Sequence, residues 1–335
     1  MLNSSATRTT TQWSDMKKML MIGIATASVI ALSACSSGAD SPAPAGSDAL
    51  TPVKVGVIPI ADTAPLYLGL DQGFFEDEGL DLTIETATGG AAIVPAVVSG
   101  DYQFGFSNLI SLMVANDKGL PLKVVNAAVA STGDVTSDFG AVIVKGDSPA
   151  KTLADLDGKT VSGNSLNNIV DTVMRSSMDR LGGDSSSVSF VEIPFPDASA
   201  AVENGQVDAA FVVEPFVTAA IESGQRVISY GYADFNVNLD VAAYFASADT
   251  VATDPELVTK FQTAMKKSLE YAQDNPDAVR AIIATYTKTP ADVLAKIVLP
   301  KFPTEINVDA ATALGEAAVK YGVIDTAPDM SSFLP

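Results

Sequence analysis

From Val53 onward the chain alternates short runs rich in β-branched residues with amphipathic stretches, and few architectures are compatible with that rhythm. A strand that feeds a helix returns most readily to a parallel neighbour, so the pattern predicts an α/β fold with mostly parallel sheets and helices on both faces. Strands are expected over 54–58, 82–86, 103–106 and 123–129, with helices over 65–70, 91–98 and 108–118 between them. A second cycle follows: strand 159–161, helix 168–181 closed by Gly182-Gly183, strand 189–193, helix 198–203 and strand 209–213. Two cycles of this kind imply two similar lobes.

A weak internal repeat points the same way. Ala96-Val97, Gly100 and Phe106 recur at Ala201-Val202, Gly205 and Phe211, a constant offset of 105 residues. Beyond the second cycle the chain turns helical. Asp254 stands at a cap position, Pro255 at the first helical position, and Leu257, Phe261, Met265, Leu269 and Ala272 repeat at spacings of four and three. That stripe predicts a helix of about 33 Å running to Asn275. Further helices are expected over 277–286, 290–298 and 309–321.

The N-terminal region carries a different signal. Lys17-Lys18 precedes an apolar stretch that ends in Leu32-Ser33-Ala34-Cys35, the layout of a bacterial lipoprotein signal. The stretch from Met19 to Ala34 is 16 residues, shorter than the roughly 20 an apolar helix needs to cross a bilayer. Residues 1–34 are therefore expected to be an export signal, with Met16 as an alternative start, and Cys35 the lipid acceptor. The mature protein would then be anchored to the cell membrane on its extracytoplasmic side. Residues 35–52 would form the lipidated end and a flexible tether. A coil over 36–52 spans about 20–25 Å root-mean-square.

Composition removes several chemistries. The chain has 20 basic and 40 acidic residues, a formal charge of −20 that repels phosphate backbones and argues against nucleic acid as a partner. It contains no histidine and one cysteine, so His-based triads, thiolate metal sites and disulfides are not expected. No cofactor or metal is called for, and a monomer is expected.

Several segments resemble one family. Val57-Ile58-Pro59-Ile60-Ala61-Asp62-Thr63-Ala64-Pro65-Leu66-Tyr67 followed by Gly73-Phe74-Phe75-Glu76-Asp77-Glu78-Gly79-Leu80 is similar to the opening of the nitrate/sulfonate/taurine/thiamine-precursor periplasmic-binding-protein family. Gly89-Gly90-Ala91-Ala92, Asp155-Leu156-Asp157-Gly158-Lys159, and Gly205-Gln206-Val207-Asp208-Ala209-Ala210 running into Glu214-Pro215-Phe216 resemble it too. The resemblance implies a two-lobed, type II periplasmic-binding-protein-like fold with a ligand cleft between the lobes. It also implies a small-molecule ligand delivered to an ABC permease and its ATPase. Residues 53–143 with 244–335 would form lobe 1 and 144–243 lobe 2, with crossovers near 141–145 and 241–247.

In open α/β sheets ligands sit beyond the carboxyl ends of strands, beside helix N-termini. The loops in those places are 59–63, 88–91, 107–108, 131–134, 163–167, 195–197 and 214–216. From them Asp62, Thr63, Gly89, Gly90, Ala91, Ser107, Asn108, Asn164, Ser165, Asn167, Glu214 and Phe216 are the candidate ligand contacts. Ser107, Asn108, Asn164, Ser165 and Asn167 could equally cap helices, Asp62 and Glu214 could serve only to cap the helices that follow them, and Gly89-Gly90 could be a plain turn. Tyr67, Phe195, Phe216, Tyr230 and Tyr244 are candidates to stack on a flat ring. None of these loops contains Lys or Arg, whereas Asp62, Asp134 and Glu214 are carboxylates. An anion there would meet repulsion that helix dipoles do not offset. A nitrogenous heterocycle such as a thiamine pyrimidine precursor fits better, with taurine, other sulfonates or nitrate as alternatives. Pyrimidine synthases of the yeast type, which the family also resembles, need an active-site His and a Cys-rich segment that this chain lacks, so no enzyme is expected. A ligand-sensing adaptor is the remaining alternative.

Overall fold

A computed structural model describes residues 49–334, and its strands follow the two cycles read in the sequence. They are β1 (Thr51–Val57), β2 (Leu80–Thr86), β3 (Phe104–Asn108), β4 (Leu122–Ala130), β5 (Gly140–Val144), β6 (Thr160–Gly163), β7 (Ser189–Glu192), β8 (Ala209–Val213), β9 (Arg226–Ser229) and β10 (Asp240–Ser247). They form two five-stranded sheets in the orders β2-β1-β3-β10-β4 and β7-β6-β8-β5-β9. In the first, β1 is parallel to β2 and β3, while β10 is antiparallel to β3 and β4. In the second, β6 is parallel to β7 and β8, while β5 is antiparallel to β8 and β9. Each sheet thus has one inverted strand, in its fourth place.

The inverted strands correct the expected lobe boundaries. Segments 141–145 and 241–247, read as crossovers, fall on β5 and β10, which are sheet members. The chain passes from the first sheet to the second over residues 131–139 and returns over 230–239. β5 is a short apolar run and β10 is largely apolar between Asp240 and Ser247, and periodicity does not reveal strand direction. β9 was not anticipated. At the other end, Thr51 and Pro52 pair in β1, so the tether stops short of them. The signal segment 1–34 and Cys35 lie outside the described residues.

The internal repeat has a structural counterpart. Helix Gly90–Val98, then Gly100 at φ 82°, leads into β3, and helix Phe195–Glu203, then Gly205 at φ 69°, leads into β8. β3 and β8 hold the third place in their sheets, and both glycines take the left-handed conformation that ends a helix. Every residue of β5 and β8 is buried, so both faces of the second sheet are covered there.

The long C-terminal helix, Pro255–Asp274, starts as its sequence dictates: the Asp254 carboxylate accepts from the Leu257 N–H at 3.1 Å. It buries Leu257, Phe261, Met265, Leu269 and Ala272, and Phe261 stacks on Phe104 of β3 with ring centroids 3.9 Å apart. Helices Pro276–Tyr286 and Val308–Lys320 agree with expectation. The helix expected over 290–298 shrinks to Ala291–Leu294, because the Val298 N–H turns to the Glu214 carboxylate at 3.1 Å and Pro300 follows. Among the described residues no helix is long and apolar enough to cross a membrane.

Candidate functional site

The carboxyl ends of the two sheets face each other. After β1 the chain runs through Ile58-Pro59-Ile60 into a single turn, Ala61–Thr63, and then helix Ala64–Asp71. The Ala61 N–H donates across to the Glu214 carbonyl oxygen beyond β8, at 3.0 Å. Asn168, which caps helix Ile169–Arg180 in the second lobe, donates from Nδ2 to Ser111 Oγ in the first at 3.0 Å. A Cβ on Gly89 would lie 3.0 Å from Ser165 Oγ. The lobes therefore meet along one seam.

Asp62 is the most unusual group on that seam. Its side chain is buried, and Oδ1 has no hydrogen-bond partner among the described residues. Burial pushes its carboxyl up to about 7; a main-chain hydrogen bond opposes this, and the nearby Asp138 carboxylate adds to it. Tyr232, Tyr244 and Tyr286 lie within its electrostatic reach. The hydroxyl of Tyr244 is also buried without a partner, as is that of Ser107. Thr63 is occupied internally, donating to the Ile58 and Ile60 carbonyls at 3.0 and 3.1 Å.

Glu214 behaves otherwise. It is fully buried, and its carboxylate accepts from the Thr218 hydroxyl at 2.7 Å, the Thr218 N–H at 3.1 Å and the Val298 N–H at 3.1 Å. Burial raises its pKa despite those bonds. The expectation that it awaits a ligand gives way to a fastening role: it anchors helix Phe216–Glu222 to the C-terminal segment.

The other expected residues divide. Gly90 begins helix Gly90–Val98, which carries Ala91, and packs so closely on Ser107 that a Cβ would lie 1.8 Å from its Oγ. Asn108 caps helix Leu109–Asp117, its Oδ1 accepting from the Ser111 N–H at 3.0 Å. Asn164 and Ser165 stand against Gly89. Asn167 is exposed at φ 49°, its N–H donating to Asp171 Oδ2 at 2.7 Å. Among the aromatic candidates, Tyr67 is covered by Tyr286 with centroids 3.9 Å apart, and Tyr244 is core between Phe106 and Phe261. Tyr230 stays half-buried in the second crossover. Phe195 and Phe216 remain, facing one another at 6.4 Å and 27°.

These two rings help line a cavity of about 90 Å³ with Ile58, Pro59, Ile60, Ala87, Thr88 and Pro196. No charged side chain lines it. An outer cavity of about 460 Å³ shares Pro59, Pro196 and Phe216 and adds Ala219 and residues 286–290, including Lys288. Lys288, Ser111 and Asn168 were missed in the sequence because they stand outside the strand-end loops. Among the described residues no group of three or more acidic or sulfur-bearing side chains is arranged to hold a metal.

Known proteins resemble this chain in sequence and in fold. A formylaminopyrimidine-binding protein of Halalkalibacterium halodurans is 24% identical over 225 residues, which span 66% of this chain and 65% of that protein, just under two thirds of its length. The periplasmic aliphatic sulphonate binding protein of Escherichia coli is 18% identical and superposes with a TM-score of 0.68, covering 84% of this chain and 97% of that one. The periplasmic nitrate-binding protein of Synechocystis is 14% identical with a TM-score of 0.68, covering 82% of both chains. The superpositions establish the periplasmic-binding-protein fold, and with residues 60–279 matching the family described as NMT1/THI5 like, the chain belongs to that family.

Proposed function

We propose that this protein is an extracytoplasmic solute-binding lipoprotein that closes its two lobes over a flat nitrogenous heterocycle, of the thiamine pyrimidine precursor kind, and hands it to an ABC permease and its ATPase. The observation that carries the reading is the uncharged cavity lined by Phe195 and Phe216 at the seam, together with a buried Asp62, two residues along the chain from the lining residue Ile60, whose Oδ1 has no partner among the described residues. A planar ring would fill the apolar slot, and its N–H groups would supply the donors that Asp62 Oδ1 lacks. Asp62, Gly89, Ser107, Asn164, Ser165 and Phe216 are the contacts proposed here. The formylaminopyrimidine-binding relative supports this ligand class. A screen of melting temperature against pyrimidines, sulfonates and nitrate tests it, since a ligand at 100 times its dissociation constant adds about 2.7 kcal/mol. Stabilisation by sulfonates or nitrate with none by pyrimidines would overturn the ligand class.

Lys288 favours a second reading. It is the cation the strand-end loops lack, and it lines the outer cavity, where it would attract a sulfonate group. Under that reading Lys288→Gln abolishes sulfonate stabilisation; under the first it leaves pyrimidine stabilisation unchanged.

Anchoring is proposed from Leu32-Ser33-Ala34-Cys35 alone. Cys35→Ala should release the protein from membranes or leave uncleaved precursor, and unchanged retention of a processed form would exclude the lipid.

A further inference from the structure

The two chain crossovers between the lobes are tied together through one carboxylate. Asp138, wholly buried in the first crossover, accepts four hydrogen bonds. Ser131 Oγ donates to Oδ2 at 2.7 Å, and the N–H groups of Thr132 and Phe139 donate to Oδ1 at 2.9 Å each. The fourth donor, the Ala233 N–H, reaches Oδ2 at 3.1 Å from the second crossover. The Ser131 N–H also donates to the Leu239 carbonyl at 2.9 Å, so the two segments lie side by side. Tyr232 of the second crossover packs its ring on Phe139 of the first at 5.2 Å and on Phe211 of β8 at 4.9 Å. A carboxylate has room for about four such donors, and here every place is filled by a crossover residue.

We propose that Asp138 is the positioning residue that fastens the two crossovers into one hinge and thereby sets how the lobes close at the ligand site. The proposal rests on the clamp reading above, but not on the identity of the ligand. Rotation of one lobe against the other must be absorbed by φ/ψ changes in residues 131–139 and 230–239, the stretches of chain that join the sheets. With Ala233 bonded to Asp138 they move together; without that bond the Ser131–Leu239 main-chain bond alone still joins them, and each can bend more freely. Closure is reported by the Ala61 N–H, whose acceptor, the Glu214 carbonyl, belongs to the opposite lobe.

The experiment is amide hydrogen exchange of the full chain without ligand, comparing wild type with Asp138→Ala, Asp138→Asn and Ser131→Ala. Hydrogen bonds to charged groups are strong enough that Asp138→Ala should speed exchange about tenfold or more in both crossovers and at Ala61. β1 and β8 should exchange as in wild type. Ser131→Ala removes two bonds internal to the first crossover, one to Asp138 and one from the Gly133 N–H, and should loosen 131–139 alone. Should Asp138→Ala fail to accumulate, Asp138→Asn, which exchanges one acceptor oxygen for a donor, should show the same two-crossover pattern at smaller amplitude. Faster exchange confined to 131–139 in the Asp138 variants would make the residue a local turn cap and overturn the proposal. So would uniform acceleration that includes β1 and β8. Because no ligand is present, a wrong ligand class would leave these outcomes untouched and show itself only in the melting screen.

Discussion

The main-chain N–H of Ala61 and the carbonyl oxygen of Glu214 are 3.0 Å apart, and this bond joins the strand end of one sheet to that of the other. The residues on either side of it have different duties. Asp62, next to Ala61, is buried with an oxygen that has no partner among the described residues, whereas both oxygens of the Glu214 side chain accept hydrogen bonds, from Thr218 and Val298.

Asp62 should make stability depend on pH. Its folded pKa of about 7 stands above its ordinary value of 3.8, so its favourable contribution is complete below about pH 4 and is lost as pH rises through 7. Asp62→Asn should therefore melt several degrees higher than wild type at pH 8 and at nearly the same temperature at pH 4. The gap corresponds to at most about 4 kcal/mol. Calorimetric melts at the two pH values measure it, and a variant less stable at pH 8 would contradict the burial argument.

The same variant should lose affinity for an N–H donor ligand by about tenfold or more, the worth of a hydrogen bond to a charged acceptor. Isothermal titration with the best stabilising pyrimidine reads this directly. Tighter binding would mean that the carboxylate repels the ligand.

For Glu214 the expected effect is on folding. Glu214→Ala leaves the Thr218 and Val298 donors unsatisfied in a buried site and should cost about 2–4 kcal/mol in urea unfolding. Thr218→Val, which removes the hydroxyl donor, should cost about 1 kcal/mol.

Phe216→Ala should weaken ligand binding at least tenfold while lowering the melting temperature by only a few degrees, because the ring is half-buried at the cavity wall. A large loss of stability with unchanged binding would place the ring in the core instead.

Gly90→Ala should destabilise by about 1–3 kcal/mol, since its Cβ would lie 1.8 Å from Ser107 Oγ. Adding Ser107→Gly should restore most of the loss. Denaturant midpoints of the single and double variants form the cycle that tests it.

Much of this was legible in the chain. The alternation of strands and helices, the caps at Asp254 and Asn108, the 105-residue repeat and the strand-end loops that hold Asp62, Gly89 and Phe216 all follow from local chemistry: periodicity, turn residues and side chains that bond to their own backbone. Local rules have a reach of a few residues, and there they succeed. They fail where the partner is remote. β5 and β10 invert because β8, β9, β3 and β4 are their neighbours, a choice made by non-local pairing and not by the two apolar runs themselves.

Burial is the other quantity the sequence withholds. Asp62 and Glu214 look alike in the chain, each a carboxylate at a strand end near a proline. Only packing separates them, by bringing the Val298 N–H from 84 residues away to one and leaving the other with a bare oxygen. Lys288 reaches the outer cavity and Asp138 meets Ala233 for the same reason. The sequence by itself determined most of the strands and helices and the strand-end positions of Asp62, Gly89 and Phe216, but not β5, β9 or β10. The tertiary structure decided which carboxylate is free, because desolvation and hydrogen-bond donors are supplied by whatever folds against a residue and not by the residue itself.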